Sequence, residues 1–385
     1  MKAQTMEAAP QDEFAKLGAG KKIAIFLPDL RGGGAERACV NLAQGLVAKD
    51  VKVDLVLAGS GGTYLDLVPK EVNLISFDAK SPIMSFPQLS RYLKSEKPDA
   101  LLGCLNQPNV AAVIARRLSG YPGRVAIWVH NHLSAEAKSP KNLKLRMMPA
   151  FAKRFFPWAD AIAAVSSGVA DDTSEFLNIP RSRITVMFNP VVTPELLSAA
   201  KQDPGHPWFE PGGPPVFVGA GRLTRQKNFP LLIRSFSQMQ SNKPARLAIL
   251  GEGEDRAELQ ALIDELNLSD RVALLGFQKN PFAFLSRSAA FALSSSWEGL
   301  PTILIEAMAC DVPVISTDCP SGPMEILENG KYGTLLPMDD EKALASAMDA
   351  ILSGEKGAAP KEAWERFTVE ACADRYIKFL LEPNR

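Results

Sequence analysis

Ile23 to Leu27 reads IAIFL, Ala35 to Ala48 reads AERACVNLAQGLVA and Val51 to Ala58 reads VKVDLVLA. A short β-branched run, a stretch with helical spacing and a second β-branched run form βαβ syntax. Two strands joined through a helix are parallel, and both runs are apolar on each side, as a sheet covered on both faces requires. The same grammar continues outward. VNLISF (Val72 to Phe77), DALLGC (Asp99 to Cys104), RVAIWV (Arg124 to Val129), AIAAV (Ala161 to Val165) and ITVMF (Ile184 to Phe188) are further candidate strands.

The rhythm breaks in the proline-rich stretch from Thr193 to Pro215, which reads as a linker. It restarts with VFVGAG (Val216 to Gly221), ARLAILG (Ala245 to Gly251), RVALLG (Arg271 to Gly276), AAFALS (Ala289 to Ser294), VPVIST (Val312 to Thr317) and YGTLLP (Tyr332 to Pro337). The chain is therefore expected to be α/β, with two doubly wound Rossmann-like domains at 21–193 and 216–366. A loose tail (1–20), a linker (194–215) and a C-terminal helix (367–385) crossing back to the first domain complete that expectation. Two such domains would face each other across a cleft, with ligands beyond the carboxyl ends of the strands.

Lys+Arg and Asp+Glu both number 43 in 385 residues. No global basic field exists to hold a nucleic-acid backbone, so attraction to phosphate must be local. Cys39, Cys104, Cys310, Cys319 and Cys372 are scattered and include no C-x-x-C pair, which argues against a disulfide framework or a zinc site and fits a reducing cytoplasm. No window is long and apolar enough to span a bilayer, and the first residues lack a signal-peptide core.

Three loops stand out. Gly32-Gly33-Gly34 precedes Ala35 and Glu36 at a helix start, where bare N–H groups could receive an anion; a tight turn alone would also need glycine. After the first strand of the second half, Gly219 to Asn228 reads GAGRLTRQKN, in which Arg222 and Lys227 could clamp a diphosphate. Ser294 to Ala307 reads SSSWEGLPTILIEA. Pro301 suits the first turn of a helix, so Glu298 lies in the loop entering it and Glu306 little more than one turn inside. Two carboxylates near a helix start, beside cations, suit a ligand that mixes hydroxyls with an anion.

The Glu298 and Glu306 spacing, with seven residues between, resembles the Glu-x7-Glu signature of retaining GT-B glycosyltransferases, family 4. GGGAE (Gly32 to Glu36), GRLTRQKN (Gly221 to Asn228), ILGEGED (Ile249 to Asp255), EGLPTILIEAMACDVPVIST (Glu298 to Thr317) and CPSGPMEIL (Cys319 to Leu327) resemble the family pattern in its order. The resemblance covers about Lys22 to Leu381. It implies that Arg222 and Lys227 hold the donor diphosphate, Glu306 the ribose, and Glu298 with Gly299, Leu300, Pro301 and Thr302 the transferred sugar. It also brings Gly33 and Gly34 to the diphosphate and sets base selection near Gly276 to Gln278, with Phe277 among the donor-binding positions. His130, in WVHNHLS, resembles the family histidine that reaches the sugar; His132 is its competitor. The family needs no metal or cofactor beyond its nucleotide sugar.

Transfer of a sugar from a nucleoside diphosphate sugar, with uridine favoured from PSGP (Pro320 to Pro323), to a glycan or lipid-linked acceptor is the expected reaction. Bacterial surface polysaccharide synthesis is its expected setting. A GT-B-shaped sugar-nucleotide epimerase and a non-catalytic nucleotide-sugar binding protein are the alternatives. Lys141 to Trp158, KNLKLRMMPAFAKRFFPW, carries five cations among apolar residues and suits an anionic leaflet, although Pro149 interrupts its helical pattern and a solvated face over a core would read alike. The expected location is therefore cytoplasmic, with possible peripheral contact at the inner membrane face.

Overall fold

The structure is a computed structural model that describes residues 16–138, 145–355 and 357–382. The chain divides into two compact units, Met1–Pro190 with Val369–Arg385, and Val191–Thr368.

The first unit is built on a seven-stranded sheet. Its strands are β1 (Lys22–Leu27), β2 (Lys52–Leu57), β3 (Asn73–Ser76), β4 (Ala100–Cys104), β5 (Arg124–Val129), β6 (Ala161–Ala164) and β7 (Ile184–Val186). They lie in the order β3-β2-β1-β4-β5-β6-β7, every ladder parallel. Alternate side chains of β1 leave by opposite faces. Ala24 and Phe26 join a buried cluster with Leu89, Leu93 and Ala111 from two covering helices. The C-terminal helix Val369–Leu381 packs on the helix Gly34–Val47 and on β4 and β5. Its Tyr376 ring lies 4.9 Å from Trp128 of β5 and its hydroxyl donates to the Met187 carbonyl at 3.2 Å.

The second unit carries six strands: β8 (Val216–Ala220), β9 (Arg246–Leu250), β10 (Val272–Gly276), β11 (Ala290–Leu293), β12 (Val314–Thr317) and β13 (Thr334–Leu336). Their order is β10-β9-β8-β11-β12-β13, again with parallel ladders. In each sheet the winding reverses beside the first strand, between β1 and β4 and between β8 and β11. Such a reversal leaves a crevice at the carboxyl ends.

Three boundaries differ from the sequence expectation. Residues 194–215 are not a bare linker: they hold the helix Pro194–Ala199 and a 3₁₀ turn at Pro207–Phe209, and they group with the second unit. Asn280 Nδ2 donates to the Ala199 carbonyl at 2.9 Å, and the Phe209 ring meets Phe284 edge-on at 5.1 Å. Of the expected tail, 1–15 lies outside the described residues, while Gly20 is tied by its N–H to the Asp50 carbonyl at 3.1 Å. Pro149 does not interrupt a helix. It occupies the first turn of Met148–Phe155, where its missing N–H costs nothing.

Candidate functional site

At the reversal point of the second sheet, the loops after β8, β11 and β12 lock together. Lys227 ends a 3₁₀ turn (Arg225–Lys227), and its Nζ lies 2.6 Å from Glu298 Oε1. The stem of Lys227 reaches that carboxylate across Gly221, whose φ is +151° and where a Cβ would sit 2.9 Å from Lys227 Cε. Glycine is therefore required there. Ser295 Oγ donates to the same Glu298 oxygen at 2.7 Å, and Thr317 Oγ1 fixes Ser295 by donating to its carbonyl at 2.8 Å. The Glu298 side chain is only 8% exposed, so these two donors replace most of the water it gives up.

The loop after β12 closes over this arrangement. Glu298 N donates to the Pro320 carbonyl at 3.0 Å. Gly322, at φ +99°, lies so close that a Cβ would be 2.3 Å from Pro301 Cδ. Burial and the neighbouring Glu298 charge push the Cys319 thiol up to about 12, so it stays protonated beside the ion pair.

Arg222 is exposed, and among the described residues its side chain forms no ion pair or hydrogen bond. The helix holding Glu306 runs Thr302–Ala309, with Pro301 just before it instead of inside it, and no side chain caps its first turn. Leu304, Ile305, Ala307 and Met308 are buried, whereas Thr302, Ile303 and Glu306 form a partly exposed stripe at helical spacing. Glu306 adds to the burial that raises the Cys310 thiol to about 12. Gly299 and Leu300 lie in the loop from Glu298 to that helix, Leu300 being buried; Phe277, just past β10, is 75% exposed.

The first unit presents a different surface. Gly33 sits immediately before the helix Gly34–Val47; a Cβ on it would meet Glu36 Oε2 at 2.4 Å, whereas nothing lies within 4 Å of one on Gly34. A cavity of about 350 Å³ opens beside the carboxyl ends of β1, β4 and β5, with Pro28, Leu105, Asn106 and His130 on its wall. His130 is 7% exposed, packs with its ring tilted 45° to that of Trp128 at 4.3 Å, and has a buried Nε2 without a hydrogen-bond partner among the described residues. Burial pushes its pKa down to about 3, so the imidazole is neutral near pH 7. His132 turns instead to Asp172, with Nδ1 3.5 Å from its carboxylate. Burial alone would raise the Asp172 pKa, but hydrogen bonds from His132 and Ser134 outweigh it and hold the carboxyl below its ordinary value. Among the described residues, no group of three or more His, Cys, Asp or Glu side chains could hold a metal ion.

Of the residues expected in the site, Lys227 and Glu298 are brought into direct contact, and Glu306 lies on the helix that follows Glu298. Gly33, Gly34 and His130 belong to the other unit. Sequence reasoning assigned no role to Ser295 or Thr317, nor to Asn106, Asn131 and Glu136 on the cavity wall. Position just past a strand end could have singled out Ser295, Asn106 and Asn131, whereas Thr317 closes β12 and Glu136 lies on the helix Leu133–Lys138, where no local signal marks them.

In Lys141 to Trp158, residues 141–144 lie outside the described residues. Beyond them Phe156 is buried, while Arg117 and Arg154 lie over the Trp158 ring at 4.1 and 4.4 Å. No helix among the described residues is long and apolar enough to cross a membrane.

The family model for glycosyl transferases group 1 matches residues 206–366, and that for glycosyltransferase family 4 matches residues 32–194. One curated relative is the N-acetylgalactosamine-N,N'-diacetylbacillosaminyl-diphospho-undecaprenol 4-alpha-N-acetylgalactosaminyltransferase of Campylobacter jejuni. It is 29% identical over 346 residues, 87% of this chain and 91% of the relative. Among solved structures, the apo lipopolysaccharide outer core galactosyltransferase WaaB superposes with a TM-score of 0.70 at 23% identity, over 93% of this chain and 98% of that one. HepE of Anabaena, in complex with UDP and glucose, gives 0.66 at 20% identity, over 94% and 95%.

Proposed function

We infer the reaction from one premise: this chain belongs to glycosyltransferase family 4 and has the GT-B fold. It is a hexosyltransferase that works in the synthesis of bacterial surface glycoconjugates, drawing on a nucleotide sugar and a glycan or lipid-linked acceptor. The finer reading is our own. The donor is a UDP-sugar and transfer proceeds with retention at the anomeric carbon.

In this reading the bond from the anomeric carbon to the β-phosphate oxygen breaks as the acceptor oxygen bonds to the same face of the sugar. The acceptor's hydroxyl proton leaves with the nucleoside diphosphate. Arg222 and Lys227 stabilise the negative charge that builds on the departing phosphate. Lys227 has three N–H donors, so its Nζ can keep Glu298 and still reach a phosphate oxygen. Glu298 accepts from hydroxyls of the transferred sugar and Glu306 from those of the ribose, with Gly299 to Thr302 lining the approach. Phe277 offers an exposed ring near the base, and Gly33 and Gly34 offer backbone N–H groups to the diphosphate. His130, neutral and with an open Nε2, reaches the transferred sugar.

The observation that carries this reading is the ion pair of half-buried Lys227 with buried Glu298, with the exposed Arg222 in the same loop as Lys227 at the reversal point of the sheet. A thermal-shift panel of nucleotide sugars tests the donor, because a ligand that binds only the folded form raises its melting temperature. UDP-sugars should give the largest shift, and a larger shift with a guanosine or adenosine sugar would reject uridine. Arg222→Ala should lower kcat roughly a hundred- to a thousandfold, the loss of ~3 to 4 kcal/mol typical of one preorganised charge-stabilising group. Near-native turnover would remove that role. Nucleotide released only with acceptor present separates transfer from epimerisation, and binding without turnover would favour a non-catalytic protein.

Peripheral membrane contact through residues 145–158 is supported by the exposed Met147 and Arg154 on that segment. Flotation with anionic liposomes at low salt tests it; a protein that stays at the bottom of the gradient does not make this contact.

A further inference from the structure

In the second unit, Ser294 to Glu298 meets Gln226 and Lys227 residue by residue. The two segments follow β11 and β8, which are parallel neighbours in the sheet, so they leave its carboxyl edge side by side. Ser294, which is buried, donates from Oγ to the Lys227 carbonyl at 2.8 Å. Ser296 N donates to the Gln226 carbonyl at 2.9 Å, and Gln226 Nε2 donates in return to the Trp297 carbonyl, also at 2.9 Å. The ion pair of Lys227 with Glu298 is thus the last rung of a seam whose other rungs hold backbone carbonyls.

Such a seam answers a weakness of lysine. Its ammonium is a compact charge on a flexible four-carbon stem, so where the charge stands depends on where the backbone beneath it is fixed. The chain bends sharply at this point. Asn228 follows Lys227 at φ +47°, in the left-handed region, and separates the 3₁₀ turn Arg225–Lys227 from the helix Phe229–Ser237. Ser294 grips the carbonyl at the bend, and Gln226 grips the carbonyl of the residue just before Glu298. One side chain therefore registers each partner of the ion pair. A displacement of about 1 Å in a group that must meet a reacting centre can cost roughly a hundredfold in rate.

We propose that Ser294 and Gln226 are positioning residues for the transfer reaction. Ser294 sets the stance of the Lys227 ammonium and Gln226 the approach of Glu298 to it, so that the ammonium meets the β-phosphate without leaving its carboxylate. The inference rests on the donor reading of Lys227 and adds to it the side chains through which that charge is aimed.

UDP and UMP share base, ribose and first phosphate and differ in the β-phosphate. Isothermal titration of the full chain with each gives the ratio of the UMP to the UDP dissociation constant. A general loosening of the fold weakens both ligands alike and leaves this ratio where it was. Ser294→Ala removes one hydroxyl, and Gln226→Met keeps the length of the side chain without its donor. Each should lower the ratio at least about threefold, well short of what a displacement of about 1 Å can cost, with UMP binding little changed. In a protein carrying Lys227→Met with Glu298→Gln, which strands no buried charge, neither substitution should lower the ratio further, because no ammonium is left to misplace. An unchanged ratio in either variant removes the role of that residue. Equal weakening of UDP and UMP, or a loss that persists in full without the ion pair, overturns the proposal. The premise is tested separately by comparing Lys227→Met with Glu298→Gln against Glu298→Gln alone. A lower ratio there keeps the donor reading whatever the seam variants do; an equal ratio, or a wild type that binds neither nucleotide, overturns the donor reading and the proposal with it.

Discussion

The two sheets reverse their winding at equivalent places, yet the loops there handle polarity in opposite ways. In the second unit the buried carboxylate of Glu298 meets a cation and a hydroxyl, each within 2.7 Å. In the first unit the buried imidazole of His130 meets no partner at Nε2 among the described residues, and burial keeps it neutral. One reversal point is prepared in advance for charge. The other keeps a neutral polar atom open at a cost to stability. The same α/β scaffold thus carries two different polar arrangements on its loops.

The sharpest way to break this contrast is to remove the cation. Lys227→Ala strands Glu298 in a buried position, and losing one partner of such a pair costs about 3 kcal/mol or more. The melting temperature should fall, and adding Glu298→Gln should restore much of it; an unchanged melting temperature in the single variant would mean that the pair is not buried in solution. A smaller effect is expected from Ser295→Ala, which removes a hydrogen bond to a carboxylate worth about 2 kcal/mol. Because Ser295 acts through Glu298, the loss should appear in kcat/KM for the donor, and Ser295→Thr should recover part of it. Equal losses in both variants would point to packing.

On the first-unit side, His130 makes a pH prediction. Its folded pKa is depressed to about 3 from an ordinary 6.5, so the unfolded chain binds a proton that the folded chain refuses. Its contribution to stability is fully present above pH 6.5 and is lost as the pH falls toward 3, at up to about 1.4 kcal/mol per pH unit. His130→Asn should flatten that part of a melting-temperature profile, and an unaltered slope would show that the imidazole is hydrated. The smallest expected effect concerns Leu105. This residue lies on the cavity wall at φ +72° and ψ 160°, a region that is nearly reserved for glycine. Leu105→Gly should raise stability by about 1 kcal/mol in chemical denaturation, and a loss would mean that the Leu105 side chain contributes more packing than its backbone costs.

The fold was legible because strands such as IAIFL and VFVGA are apolar on both faces and alternate with helical spacing, a purely local signal. Arg222 and Lys227 stood out as neighbours in the loop after β8, and Glu298 and Glu306 as a second close pair in the loop and helix after β11. Glu136 did not, since the amides that orient it lie 30 and 5 residues away and meet it only after β4 and β5 pair. Ser295 was hidden in a run of three serines, and only the hydrogen bond to Glu298 distinguishes it. Residues 194–215 read as a linker because proline and glycine dominate the composition, while Phe209 packs on Phe284, a partner that periodicity does not reveal.

The return of Val369–Leu381 to the first unit has a consequence for how the protein is made. A ribosome delivers all of 191–368 before the strip that covers β4 and β5, so the half synthesised first is the last to be finished. A fragment ending at Pro190 would expose Trp128 where Tyr376 belongs, and producing that half alone requires grafting the final helix onto it.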